Sequence, residues 1–195
     1  MAGRMHIRES VLALLFAAAV VPGAEAMSVP SHIYVCSGYG CAYKTRLVIT
    51  DQMRQRFVAI MRGGHGSAAE EQAAIAKAVQ YFEELVTKTI GVADKPKGEI
   101  GGARVKGQMD CIDESTNTRV LLDLLDRLKL LRHHRVEGNA SRGFFLDQRY
   151  PHATAVIKAP DGTRWAVDSW YEPAGGPPDI MPLERWRQRG VLGER

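Results

Sequence analysis

Three residue types in this chain can do covalent chemistry together: a cysteine, a histidine and an aspartate. The cysteines are Cys36, Cys41 and Cys111. Cys36 and Cys41 bracket Ser37-Gly38-Tyr39-Gly40, a turn-forming tetrapeptide. A hairpin loop of this length sets two strand-end cysteines face to face, so a Cys36–Cys41 disulfide is expected in an oxidising compartment. The alternative is two buried free thiols. The spacing C-x4-C without a second pair suits neither zinc nor a C-x-x-C redox motif. Pairing the first two leaves Cys111 alone. It follows a Gly-rich stretch and opens a helix-forming run. The positive end of a helix favours the thiolate, and its free backbone N–H groups can stabilise an oxyanion. A buried, inert thiol is the plainer alternative.

A thiolate nucleophile needs a base, and the base needs an orienter. Beyond residue 26 the histidines are His32, His65, His133, His134 and His152. His152 is best placed. It begins the first strand of a hairpin turned by Ala159-Pro160-Asp161-Gly162, and Asp168 lies near the end of the second. Pairing 158 with 162 sets 152 opposite 168. Pairing 159 with 163 sets 154 opposite 168 and 152 one diagonal step away. In both registers His152 and Asp168 share a face, because strand side chains alternate. Asp168 can then hold one ring nitrogen and leave the other for Cys111, as in a Cys-His-Asp triad. Without Cys111 the same two residues would be an ordinary surface pair.

Other side chains border these three. Gln108, just ahead of Cys111, offers an amide donor to an oxyanion, or else bonds its own loop backbone. Trp170 shares the face of Asp168 and can wall a substrate cleft, whereas Trp165 falls on the core face. Asp113, Glu114, Ser115, Thr116 and Asn117 put carboxylates and hydroxyls beside the thiol, either to bind substrate or to solvate the helix's first turns. His133-His134 lacks an identifiable third metal ligand. The glycines of 98–107 lack the strand-turn-helix context of a nucleotide site.

The elements that must position these groups follow from periodicity and punctuation. Residues 33–36 and 41–50 read as a β-hairpin, and 51–62 as an amphipathic helix stopped by Gly63-Gly64. Ser67 and Glu70 form a capping-box pattern ahead of a long Ala-rich helix ending at Gly91. Residues 94–107 read as a mobile loop inside one domain. A third helix is expected from 111 to about 131, capped by Asp110 or Ser115. A short strand is expected at 133–136, two strands at 152–158 and 163–169, a breaker at 175–178 and a final helix at 183–189.

Ahead of all this, Arg4, His6 and Arg8 precede the apolar run 11–21, then Pro22-Gly23 and Ala24-Glu25-Ala26. Charge, short apolar core and small-x-small order read as a signal peptide cleaved after Ala26. The run is shorter than the ~20 residues of a bilayer span, although an uncleaved N-terminal anchor is the alternative. The remainder, 27–195, is one domain in a periplasmic or secreted location, where disulfides persist. Its composition is ordinary: 45% hydrophobic, 25% charged and net +4 in 195 residues, which excludes wholesale disorder and fibrous repeats. The charges are dispersed, so nucleic-acid binding is not implied.

The segments Gly107-Gln108-Met109-Asp110-Cys111, Pro151-His152-Ala153-Thr154-Ala155-Val156 and Trp165-Ala166-Val167-Asp168-Ser169 together resemble the transglutaminase-like branch of the papain-like cysteine peptidase superfamily. The run D-C-I-D resembles the D-C-x-D segment of bacterial transglutaminase-like cysteine proteases. The resemblance covers roughly 105–170. It implies an α+β fold with the nucleophile helix packed on an antiparallel sheet, Cys111 as nucleophile, His152 as base then acid, and Asp168 as orienter. The chain departs from the pattern in lacking the Trp that precedes the nucleophile in animal transglutaminases. The whole chain also resembles an uncharacterised group of secreted proteobacterial proteins sharing Gly-Gln-Met-Asp-Cys-Ile-Asp-Glu-Ser-Thr-Asn-Thr and Trp-Ala-Val-Asp-Ser-Trp.

The expected function is thiol-dependent acyl transfer, with hydrolysis favoured because water is always present. The expected substrate is a peptide or cell-wall peptide. The chemistry needs no cofactor. The rival is a catalytically silent binding or assembly module on the same fold.

Overall fold

A computed structural model describes residues 29–143 and 151–189. The signal-peptide reading and its cleavage point lie outside the described residues. Strands β1 (His32–Ser37) and β2 (Tyr43–Val48) form an antiparallel hairpin. Helices α1 (Asp51–Arg62) and α2 (Ala68–Ile90) follow, then a long strap to α3 (Cys111–Arg127). A four-stranded antiparallel sheet comes next, in the order β3 (Arg135–Arg142), β4 (His152–Lys158), β5 (Arg164–Asp168), β6 (Asp179–Pro182). The short helix α4 (Leu183–Arg187) closes the described chain. The class is α+β with antiparallel sheets, and α3 packs on both the sheet and β1.

Local chemistry explains the element boundaries. Thr50 caps α1 by accepting Met53 N–H, and Ser67 caps α2 by accepting Glu70 N–H. Gly91 ends α2 at φ 85, a left-handed cap that glycine adopts without strain. α3 stops at Arg127, short of the expected 131. Leu130 N–H reaches back to Leu125 O (2.9 Å) around Lys129 at φ 58, a closing turn that keeps Leu128 and Leu131 against the core.

The main core lies between the helices and one sheet face. Phe57, Ile75, Phe82, Leu121, Leu125 and Ile157 are among its fully buried members. On the opposite sheet face Val156 and Ala166 meet Leu183 and Trp186 of α4. Sheet side chains alternate, so His152 and Asp168 belong to this second face by parity. Ala159 N–H bonds Thr163 O, and Ala155 pairs with Val167, so of the two expected registers the 159–163 pairing is the one formed.

Two strands differ from expectation. β3 runs through 135–142 rather than 133–136, with a register shift between Glu137 and Ala140. β6 forms just past the expected breaker. The 94–107 segment is tied down rather than loose. Tyr39 Oη donates to Glu99 O (2.5 Å), Tyr43 Oη to Arg104 O (2.9 Å), and Lys97 N–H to Trp170 O (2.8 Å).

Candidate active site

The cystine turn and the start of α3 are one structure. Cys36 and Cys41 are disulfide-bonded. Cys36 pairs across the hairpin with Lys44, so Cys41 sits inside the turn instead of facing it from the other strand. Gly38, Tyr39, Gly40 and Cys41 all have positive φ (86, 68, 59 and 61). That run turns successive N–H groups toward one side, an anion-binding concavity. Asp113 fills it: Tyr39 N–H donates to Oδ2 (2.7 Å) and Cys41 N–H to Oδ1 (2.6 Å). Gly40 N–H donates to Asp110 Oδ2 (3.1 Å). Asp110 also caps α3, its Oδ1 accepting the N–H groups of Ile112 (3.1 Å) and Asp113 (2.9 Å). Burial, then the neighbouring Asp110 carboxylate, pushes the Asp113 carboxyl up to about 6, against the pull of the turn's N–H groups. Among the described residues the one cluster with metal-type ligand atoms is this cystine with Asp113. Its sulfurs are already spent in the disulfide.

Of the polar residues after Cys111, all but the half-buried Thr116 are turned away from water, and none of them lines the cavity beside Cys111. Asn117 clamps Cys36, accepting its N–H (2.7 Å) and donating to its O (2.9 Å). Ser115 Oγ donates back to Ile112 O. Ser169 Oγ donates to Glu114 Oε2 (2.6 Å) and lies 3.3 Å from Thr118 Oγ1. Asp113, Glu114, Ser115, Asn117 and Thr118 are all buried. They brace α3 against β1 and against the residue next to Asp168. Glu83 and Asp94 gather beside Glu114. Burial foremost, with mutual repulsion, raises Glu83 to about 8, Asp94 to about 6, and Glu114 well above its ordinary range.

Cys111, half-buried at the first helical position, borders a cavity of about 820 Å³ together with His152, Ala153, Trp170, Arg142 and Lys97. His152 Nε2 stands 2.7 Å from Asp168 Oδ2. A carboxylate accepts, so Nε2 carries a proton, and in the neutral ring Nδ1 is the nitrogen with the lone pair. Nδ1 is buried and has no hydrogen-bond partner. The thiol does not bond it either; the nearby backbone N–H of Ala153, the residue after His152, favours the thiolate, but less than burial opposes it. Burial first, then the Asp110 and Asp168 carboxylates, push the thiol up to about 11. Backbone N–H groups, that of Cys111 itself among them, still favour the thiolate as expected, but burial and the two carboxylates outweigh them. The N–H groups of Ile112 and Asp113 are taken up by Asp110.

Asp168 has a further partner that sequence reasoning missed. Trp186 Nε1 donates to the same Oδ2 at 2.7 Å, and Trp170 N–H donates to Oδ1 at 3.3 Å. The imidazole is boxed by rings, with centroids 4.6 Å away at Trp170, 5.6 Å at Trp186 and 5.8 Å at Tyr171. The only signal for Trp186 was a lone aromatic in a short, charged C-terminal helix. Gln108 is not brought into the site. Its amide donates to Ala93 O (3.2 Å), because the turn at Gly107 (φ 92) points it away from the cavity. Trp165 packs against the main core and Trp170 borders the cavity. His134 is buried against Glu71 (2.8 Å), and the Glu71 carboxylate also accepts Arg132 and His133 N–H, a structural knot.

Comparisons with protein-family models, with curated proteins and with solved structures found no match for the chain.

Proposed function

We propose that this chain is an extracytoplasmic thiol acyl-transfer enzyme with a papain-like, transglutaminase-like core, hydrolysing amide bonds in peptides or cell-wall peptides. The observation that carries the reading is the buried, unpartnered Nδ1 of His152. A ring held by Asp168 through one nitrogen, with the other left bare beside a cavity that a cysteine also borders, is poised as a base. In the free enzyme such catalytic hydrogen bonds are often open and tighten with substrate. His152 takes the thiol proton, and the sulfur attacks the carbonyl carbon to give a tetrahedral oxyanion. Ile112 and Asp113 N–H are engaged by Asp110, so Cys111 N–H is the helix-terminus donor left to face the oxyanion. Collapse breaks the C–N bond, the amine leaves with the proton from His152, and a thioester remains. Water, deprotonated by His152, attacks the thioester and releases the acid and the thiol.

The cystine and the basic-apolar-small N-terminal order support an extracytoplasmic location. Among the described residues no helix is long and apolar enough to cross a membrane. A catalytically silent module on the same fold is the second reading. It is favoured by the open thiol–imidazole gap and the raised thiol. A burst experiment separates the two. p-Nitrophenyl acetate should release one fast equivalent of nitrophenolate per protein and acetylate Cys111, as read by peptide mass spectrometry. Acetylation confined to lysines, with no burst, supports the silent module.

A further inference from the structure

The cavity beside Cys111 holds two cations that no carboxylate neutralises among the described residues. Arg142 is the cross-strand neighbour of His152 and is only 8% exposed, yet it lines the cavity. Its guanidinium donates to the Trp186 carbonyl oxygen and to Tyr171 Oη (2.8 Å), and it stacks 4.5 Å above the Trp186 ring. These neutral acceptors take up two of its five N–H donors and none of its charge. A buried cation is costly unless an anion reaches it. Lys97 lines the same cavity. Its backbone N–H on Trp170 O anchors it there, and its ammonium stands 5.8 Å from the Tyr171 ring. Among the described residues, the anions bordering the cavity are already paired or hydrogen-bonded. Glu99 is held by Lys95 Nζ (2.9 Å and 3.1 Å), and Asp110 accepts Gly40, Ile112 and Asp113 N–H. Asp168 is covered by His152 and Trp186. What these residues offer a ligand is therefore a buried guanidinium with no carboxylate partner among the described residues, with Lys97 beside it, within an apolar wall of Trp170, Ile112 and Pro151; Glu99 and Asp110 on the same rim balance the formal charge without reaching Arg142.

We infer that Arg142 and Lys97 form a subsite for a carboxylate of the substrate, close to the bond that Cys111 attacks. The inference rests on the nucleophile reading above. The carboxylate is either the free end of a peptide or an acidic side chain, and both present the same two-oxygen anion to a guanidinium.

The test uses two alkylating agents of similar size, iodoacetate and iodoacetamide, on the native full chain at pH 7 and low salt. Each forms a thioether at Cys111 and releases iodide. Without a cationic subsite the neutral reagent is the faster. With it, iodoacetate should label Cys111 about tenfold faster than iodoacetamide, saturate with concentration, and lose the advantage in ~0.5 M salt. Lys97→Met, at an exposed position, and Arg142→Met should each cut the ratio several-fold. The surface variant keeps the proposal testable if Arg142→Met does not fold. A ratio at or below one, or a ratio that neither variant moves, overturns the subsite while leaving the nucleophile reading intact. Labelling by neither reagent in the native protein removes the nucleophile reading, and the subsite with it. Protection against iodoacetamide then identifies the source. Protection by N-acetylalanine assigns a chain-end carboxylate, and protection by N-acetylglutamic acid α-amide assigns a side-chain one. Protection by neither also overturns the subsite.

Discussion

His152→Gln is the substitution that separates a working triad from a merely buried thiol. Glutamine keeps a donor for Asp168 and much of the ring's volume, but it cannot accept a thiol proton at neutral pH. Burial and two carboxylates push Cys111 up to about 11. Ionising alone at pH 7, such a thiol holds about one thiolate in ten thousand, whereas an ordinary cysteine near ~8.5 holds roughly three in a hundred. That ~300-fold deficit in thiolate is partly offset by the greater nucleophilicity of a more basic sulfur, so Cys111 without a base should react with iodoacetamide roughly 20–30-fold more slowly than an exposed cysteine. The direction is unambiguous: a raised thiol keeps its proton until the pH climbs to its own value. A base at Nδ1 lifts this handicap, and general-base assistance is typically worth ~10²–10⁴-fold. The assay follows Cys111 alkylation by peptide mass spectrometry from pH 6 to 11 with the cystine intact. Wild type should level off well below pH 11. His152→Gln should climb tenfold per pH unit toward about 11 and trail wild type by at least ~10²-fold at pH 7. Superimposed profiles would refute the reasoning, because the bare Nδ1 would then be idle.

Three further outcomes follow from the same contacts. Glu83, Asp94 and Glu114 bind protons more tightly folded than unfolded, so their contribution is complete below pH ~4 and is lost as pH climbs through about 6 and about 8. The urea midpoint should fall between pH 5 and 9, and Glu83→Gln should flatten the upper part of that fall; a midpoint that rises across this window contradicts it. Reducing the Cys36–Cys41 bond should cost about 2 kcal/mol in urea denaturation, since the turn also loses its hold on Asp110 and Asp113; an unchanged curve would show that the turn keeps its shape without the bond. Trp186→Phe keeps a ring but deletes the N–H on Asp168, so stability should drop by ~1.5–3 kcal/mol and Cys111 alkylation at pH 7 should slow; unaltered alkylation would remove Trp186 from the positioning of the triad.

What was legible in the sequence was local. The Pro-Asp-Gly turn and the period of two set His152 and Asp168 on one face in either register, so their pairing did not depend on choosing between registers. The start of α2 was legible because Ser67 and Glu70 stand three positions apart, and that of α1 from its apolar spacing, whereas the cap of α3 stayed open between Asp110 and Ser115 until the fold set Asp110 there. β3 was not. Arg135–Arg142 reads RVEGNASR, without apolar alternation, and becomes a strand only because β4 offers it a partner. β6 hides in the same way behind Gly175 to Pro178. Trp186 meets Asp168 only through the fold of α4 over the sheet, a contact with no sequence period. Gln108 was misdirected because nearness in sequence does not set side-chain direction. Gly107 turns the backbone so that the amide finds Ala93 instead.

The helix terminus at Cys111 shows why a dipole argument alone misjudged the thiol. Its positive end is already claimed by Asp110 and Asp113, which the cystine turn requires in order to satisfy its own N–H groups. Asp110, which fastens the start of α3, thus also opposes ionisation of the Cys111 thiol. Asp110→Asn isolates this conflict. Asparagine caps a helix as well as aspartate, and its Oδ1 can still accept Ile112 and Asp113 N–H, so α3 should start at the same residue. The position facing Gly40 N–H becomes a donor, at a loss of ~1 kcal/mol. The charge beside the sulfur disappears. In a His152→Gln background, where no base intervenes, the alkylation midpoint should fall below about 11 and the rate at pH 7 should rise by roughly 2–10-fold. An unmoved midpoint would mean that burial and Asp168 hold the proton, and that Asp110 serves the cystine turn and the helix cap without any cost to the thiol.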